Sequence, residues 1–239
     1  MDLTVDIGNQ YTKLRCFAEG YNIACSADYS NPFPIGKLSD FSHAGRAIIS
    51  DVGGKGAEII RFLKESGVKT ISMSHKLALP LSLAYKTPET LGVDRIAAAV
   101  GAGVLFPDYA MLVIDAGTAI TFDFVEPNGV FAGGNISPGI AMRLKSLHHF
   151  TANLPLVSIN NSVPEIGSTT YEAIAAGVRN SVLFEIEEYI SRWCNISRQH
   201  KVIVTGGDAD FLVNSIKSSI FVNSNLVAIG LKRILELNA

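Results

Sequence analysis

"LTVDIGNQYTKL", residues 3–14, and "MLVIDAGTAITFDF", residues 111–124, are the two stretches on which the fold turns. Each is an apolar strand that ends in an aspartate, Asp6 or Asp115. A glycine follows two residues later, Gly8 or Gly117, and then a second strand-like run begins. A strand buried on both faces does not accept an ionised carboxylate without a partner. A single such aspartate is readily explained as a turn cap that accepts backbone N–H groups. The same arrangement at equivalent places in two halves of a chain points instead to a ligand. The glycine lets an anion approach the backbone, and the aspartate can hold the cation that travels with it.

Working outward, the first half reads as three strand-like runs at Leu3–Gly8, Tyr11–Phe17 and Tyr21–Ser26, with turns at Gly8-Asn9 and Glu19-Gly20. A short helix near Gly36–Ala44, a strand Ala47–Val52, a helix Gly56–Glu65, a strand Thr70–Ser74 and a helix Asp94–Phe106 are expected after them. The second half repeats the order. Three strand-like runs turn at Gly117 and Asn128-Gly129. Helical patterns follow at Ile140–His149 and Thr170–Cys194, then a strand Val202–Thr205, a helix Ala209–Ile216, a short strand near Phe221 and a closing helix Val227–Leu237. Both halves thus read βββαβαβα. A repeat of about 110 residues is far longer than a solenoid unit and implies two similar lobes, expected at 1–108 and 109–239.

The chain has 239 residues, of which 48% are hydrophobic, enough for a substantial core. With 22 acidic against 20 basic side chains it has no basic excess for a phosphate backbone, so no nucleic-acid partner is expected. Cys16, Cys25 and Cys194 lack C-x-x-C spacing and read as reduced thiols of a cytosolic protein. The opening "MDLTVD" lacks the basic start and long apolar region of a secretory signal, so the N-x-[ST] matches at Asn160 and Asn195 carry no weight. The apolar window Ile96–Ile114 is split by Pro107 and Asp108 into pieces too short for a bilayer, and no membrane association is expected.

Read residue by residue, several positions keep two meanings. Lys13, just beyond the first turn, can neutralise phosphate oxygens or be an ordinary strand lysine. Asp94, at the head of an alanine-rich helix, can be a helix cap. Asp208 can likewise cap the helix after Gly206 and Gly207. His148 and His149 are adjacent and so point to different faces, which suits a helix end better than a metal pair. Trp193 reads as core or interface. No G-x-x-x-x-G-K-[ST] run exists, and the near match to G-x-G-x-x-G at Gly101 lies inside a helix instead of opening one.

An ordered set of motifs resembles the type III pantothenate kinases, of the superfamily of acetate and sugar kinases, Hsp70 and actin. The first phosphate motif, D-x-G-N-[ST]-x-x-K, is met by Asp6, Gly8, Asn9 and Lys13, with Gln10 at the hydroxyl position. "YKTPETLGVDRIAA" (85–98) is similar to the pantothenate and catalytic segment, and "IDAGTAITFD" (114–123) to the second phosphate motif. "GGNISPGI", "STTYEAIAAG" and "VTGGDADFL" follow in the family's order.

The resemblance implies an α/β fold of two actin-like (ribonuclease H-like) lobes with the active site in the cleft between them. It implies ATP-dependent phosphorylation of pantothenate to 4'-phosphopantothenate, the first step of coenzyme A biosynthesis, by a cytoplasmic homodimer. It makes Asp94 the base. Asp6, Gly8, Asn9, Gln10, Lys13, Thr118, Gly206 and Gly207 would contact ATP, and Tyr85, Gly92, Val93, Arg95 and Thr170 the pantothenate. Asp115 would bind K⁺ or NH₄⁺, and Asp6 would hold Mg²⁺ through water. Thr169 stands where many members have Asn. Two rival readings are a nucleotide-binding transcription accessory factor of the same kinship, and a sugar or acetate kinase of the same fold. Retention of Asp6, Lys13, Asp94, Arg95 and Asp115 argues for catalysis, since a pure binder needs no acid facing a hydroxyl.

Overall fold

The computed structural model describes residues 1–159, 163–196 and 199–239; the Asn160 sequon lies outside the described residues. It holds two sheets. In the first, β1 (Asp2–Ile7), β2 (Tyr11–Phe17) and β3 (Ile23–Ser30) form an antiparallel meander, and β4 (Arg46–Asp51) and β5 (Lys69–Ser72) add in parallel, in the order β3-β2-β1-β4-β5. In the second, β7 (Ala110–Ala116), β8 (Ala119–Val125) and β9 (Val130–Pro138) lead to β10 (His200–Thr205) and β11 (Phe221–Val222), in the order β9-β8-β7-β10-β11. The two orders are the same, element for element. A two-residue strand, β6 (Ser82–Leu83), pairs in parallel with β9 and is absent from the sequence reading, as is the 3-10 turn Pro88–Thr90. Both are too short to carry a periodic signal.

Six α-helices are described: α1 (Ala57–Glu65), α2 (Val93–Leu105), α3 (Ile140–His149), α4 (Thr170–Ile196), α5 (Ala209–Val213) and α6 (Leu226–Asn238). The short helix expected near residues 36–44 is a 3-10 helix, Ile35–Phe41. Asp108, at φ +67, turns the chain between α2 and β7, where Pro107 predicts a break.

The chain divides into two compact units, one of Met1–Tyr109, Val125–Gly133 and Asn225–Ala239, the other of Ala110–Phe124 and Gly134–Ser224. The core of the first collects Leu3, Val5, Leu14, Ile49, Ile59 and Leu63. That of the second collects Leu112, Ile114, Phe122, Val182, Ile186 and Trp193. Trp193 is core, tilted against Phe124 at 4.9 Å between ring centroids. His148 Nδ1 hydrogen-bonds the Leu154 carbonyl oxygen at 2.8 Å.

In the first unit α6 packs along α2. A Cβ on Gly101 would stand 2.2 Å from the Leu226 carbonyl oxygen, and one on Gly230 1.8 Å from that of Ala97. Gly101 in α2 therefore serves backbone-to-backbone helix contact, not a cofactor loop. Lys232 of α6 reaches Asp2 of β1 at 2.6 Å, and Arg46 of β4 donates to both oxygens of the same carboxylate. No helix among the described residues is long and apolar enough to cross a membrane.

Candidate active site

The hairpin register decides what surrounds the first aspartate. Asp6 pairs with Lys13 on β2 and with Ser50 on β4, and Lys13 in turn pairs with Asp28 on β3. Residues opposite one another on adjacent strands share a sheet face, so Ser50, Asp6, Lys13 and Asp28 make one polar row across the sheet. Arg15, two residues along, ion-pairs with Asp28 and donates from Nε to Asn225 Oδ1 at 2.7 Å.

Asp6 Oδ1 and Ser50 Oγ are both buried with no hydrogen-bond partner of ordinary geometry among the described residues. Burial first, and the charge of Asp94 second, push the Asp6 carboxyl up to about 6. The Lys13 ammonium, the nearby Ser50 hydroxyl and Arg15 pull the other way. Asp6 and Asp94 are thus within electrostatic reach of each other.

The turn itself is strapped from β3's far end. Gly8 N–H donates to the Tyr11 carbonyl oxygen at 3.0 Å, while Asn31 donates from Nδ2 to the Gly8 oxygen at 2.8 Å and from its backbone N–H to the Gln10 oxygen at 2.8 Å. Thr12 Oγ1 donates to Asn31 Oδ1 at 2.7 Å. Asn9 and Gln10 are left exposed at the tip. Asn31 escapes a sequence reading because its role rests on contacts 19 and 23 residues away.

Asp94 lies in the first turn of α2, whose N-cap is Gly92. Its Oδ1 accepts the Arg95 N–H at 2.8 Å, so it satisfies one of the helix's first amides as the capping reading expects, from inside the helix instead of from the N-cap. The Arg95 guanidinium is buried, 5.9 Å from the ring centres of both Tyr85 and Phe131. Gly92, Val93, Asp94, Arg95 and Tyr85 therefore meet in one neighbourhood of the first unit.

In the second unit Asp115 pairs with Thr205 of β10. The turn beyond it is tighter than the first, Gly117 N–H donating to the Ala119 oxygen at 3.0 Å. Gly206 has φ +100, and a Cβ there would stand 2.2 Å from the Ala116 oxygen and 2.5 Å from Asp115 Oδ1, so only glycine fits. Gly207 faces open space. Asp208 precedes α5 but makes no side-chain cap bond, and burial raises its carboxyl. Gly139 N–H donates to the Thr118 oxygen at 3.0 Å, which ties the "SPGI" segment to the same turn.

A model of the type III pantothenate kinase family matches residues 2–192. The chain belongs to the type III pantothenate kinase family. A type III pantothenate kinase of Cytophaga hutchinsonii is 38% identical over 242 residues, covering 100% of both chains. One of Porphyromonas gingivalis is 44% identical over 196 residues, covering 81% of this chain and 80% of that one. Among solved structures, a Campylobacter jejuni protein named for the Baf family of transcriptional activators aligns at TM-score 0.65 and 24% identity, covering 98% and 97% of the two chains. At that identity the likeness speaks for the fold alone, which is of the actin-like and sugar kinase type.

For this pantothenate kinase family member, Thr170 is the first residue of α4 and is exposed. The preceding Thr169 acts in a capping box. Its Oγ1 accepts the Glu172 N–H at 3.2 Å, while Glu172 Oε2 accepts the Ser168 and Thr169 N–H groups at 2.9 and 3.2 Å. The signal for it, "TTYE", stands in the sequence. Ser50 and Phe131, like Asn31, carry no such signal.

Proposed function

We propose that this chain phosphorylates pantothenate on its 4'-hydroxyl, with ATP as phosphate donor, in the first step of coenzyme A biosynthesis. The observation that supports it most is the placement in one unit of two carboxylates, Asp6 in register with Lys13 beside the first turn and Asp94 next to Arg95 in the first turn of α2.

Asp94 accepts the proton of the attacking hydroxyl with the oxygen that does not cap Arg95. Tyr85, Gly92, Val93 and Arg95, with Thr170, hold the pantothenate. Gly8, Asn9 and Gln10 offer backbone N–H groups to the phosphates, and Lys13 neutralises their charge. Thr118, Gly206 and Gly207 take the rest of the nucleotide, and the absence of a side chain at Gly207 leaves room for a flat ring. Asp115 holds K⁺ or NH₄⁺.

The unpartnered, buried Asp6 Oδ1 fits a carboxylate that holds Mg²⁺ through water. When bound, Mg²⁺ neutralises charge on the transferred phosphoryl group. Phosphoryl transfer is eased chiefly by positioning and charge neutralisation, so a modest base suffices.

The proposed homodimer is supported by large apolar side chains left exposed in the second unit, Met142 on α3 and Phe184 on α4, two helices joined by the Arg143–Glu185 ion pair. A cytoplasmic location accords with the free cysteines Cys16, Cys25 and Cys194.

The test is ADP release measured with pantothenate, glucose and acetate as acceptors. Turnover with pantothenate alone, lost by roughly 10² or more in Asp94→Asn, supports the reading. Turnover with glucose or acetate instead, or near wild-type turnover in Asp94→Asn, removes it.

A further inference from the structure

The Phe131 side chain has no polar atom, no place in any motif and no exposed surface, yet its ring stands against the arginine next to the proposed base. The reason lies in β6. Residues 82–84 are zipped onto β9 by the Ser82 N–H to the Gly129 oxygen at 2.9 Å and the Ala84 N–H to the Phe131 oxygen at 3.0 Å, with Leu83 in register with Phe131. Tyr85 is the next residue, and its ring meets that of Phe131 edge to face, 6.2 Å between centroids and 66° between planes. The Arg95 guanidinium is 5.9 Å from both ring centres and only 6% of the residue is exposed. A guanidinium is flat and its charge is delocalised, so two aromatic faces at this distance restrict its plane as well as its position. An ammonium has no plane to restrict, and an aliphatic wall does not attract the charge.

We propose that Phe131 is a positioning residue for pantothenate binding: with Tyr85 it brackets the Arg95 guanidinium and aims it at the substrate. The inference rests on the reading that Arg95 holds pantothenate. The two-residue strand β6 acquires a role as well, since its pairing with β9 sets the spacing of the two rings. Lys at position 95 has no flat group to be bracketed, so the bracket also selects arginine there.

The experiment measures Kd for pantothenate and for ATP, separately, in the intact protein by calorimetry, with melting temperature alongside. Phe131→Leu removes the ring; Phe131→Met removes it with a flexible chain that fills irregular gaps and serves if the leucine variant does not fold. The expected result is a rise in Kd for pantothenate of about 3- to 30-fold with Kd for ATP unmoved. In an Arg95→Lys background the same change at Phe131 adds little, because the two residues act as one unit. Equal loss for both ligands, or no change for pantothenate in the folded methionine variant, overturns the inference and leaves Phe131 as core. If Arg95→Lys itself leaves pantothenate binding unchanged, the underlying reading of Arg95 fails first, and the bracket has no substrate to serve.

Discussion

A Cβ added at Gly92 would stand 2.5 Å from Asp94 Oδ1, the oxygen that accepts the Arg95 N–H. Gly92 has an ordinary negative φ, so the glycine is there for room, not for backbone freedom. Gly92→Ala must therefore push the Asp94 carboxylate off its place. We expect turnover to fall by roughly 10²-fold, the usual cost of an ångström of misplacement in a reacting group, with the melting temperature lowered only slightly. Wild-type turnover in this variant would mean that the carboxylate can shift without consequence.

The Asn31 strap predicts a nucleotide-specific defect. Asn31→Ala removes the bond to Gly8 and leaves Thr12 Oγ1 without its acceptor. The cost should be about 1–3 kcal/mol of stability, and KM for ATP should rise while KM for pantothenate stays put. Asn31→Asp keeps the acceptor for Thr12 but sets a carboxylate oxygen against the Gly8 carbonyl, so it should raise KM for ATP at least as much as Asn31→Ala.

Asp6 carries a stability cost with a definite pH dependence. Its folded carboxyl lies near 6, above the ordinary value, so folding favours the protonated form. Wild-type stability should fall as pH rises from about 4 to about 6 and stay reduced above that, by up to about 3 kcal/mol. Asp6→Asn should then resist urea better than wild type at pH 8, without nucleotide or Mg²⁺, lose that advantage near pH 4, and be inactive at both. Equal urea midpoints at pH 8 would contradict the burial.

The Asp2–Lys232 pair behaves oppositely. Asp2 is held low by Arg46 and Lys232 against the effect of its burial, and Lys232 is held high by Asp2 and Glu236 against its own. The Asp2 contribution is present above about pH 4 and lost as pH falls through its lowered folded value. That of Lys232 is present below about pH 10 and lost as pH rises through its raised one. Lys232→Met should cost roughly 2–4 kcal/mol at pH 7, because it leaves a buried carboxylate with Arg46 alone. The difference between variant and wild type should shrink at both pH extremes. A loss that is the same at all pH values would assign it to packing.

Asp115 predicts dependence on a monovalent cation. At constant ionic strength, replacing Na⁺ or a bulky organic cation by K⁺ or NH₄⁺ should activate turnover strongly. Asp115→Ala should lose both the activation and most of the rate, because without the carboxylate no cation is held to balance the charge of the ATP phosphates. Identical rates in all these salts would leave Asp115 to hold its hairpin in shape.

The elements were legible because their signals are local. Strand-like runs joined by tight turns marked the meander of residues 3–26, the Pro107-Asp108 break separated α2 from β7, and the doubled Asp-x-Gly turn exposed the repeat that the matching strand orders display. What escaped were pieces whose meaning depends on a distant partner. β3 runs on to Ser30 because β2 supplies its ladder. β6 exists only because β9 lies beside it. The α6 helix, last in the second run of elements by order, packs on α2 of the first unit through Gly230 and Gly101, a choice no periodicity encodes.

By itself the sequence determined the alternation of strands and helices, the duplicated aspartate turns and, through ordered motifs, the kinase family, since each of these is written in residue types at short spacing. Only the tertiary structure decided that Ser50 faces Asp6, that Asn31 closes the Gly8 turn, and that Phe131 and Tyr85 bracket Arg95. Strand register and close packing are the physical reason: they join residues tens of positions apart, and a buried serine, asparagine or phenylalanine acquires its role from the neighbour that folding brings to it.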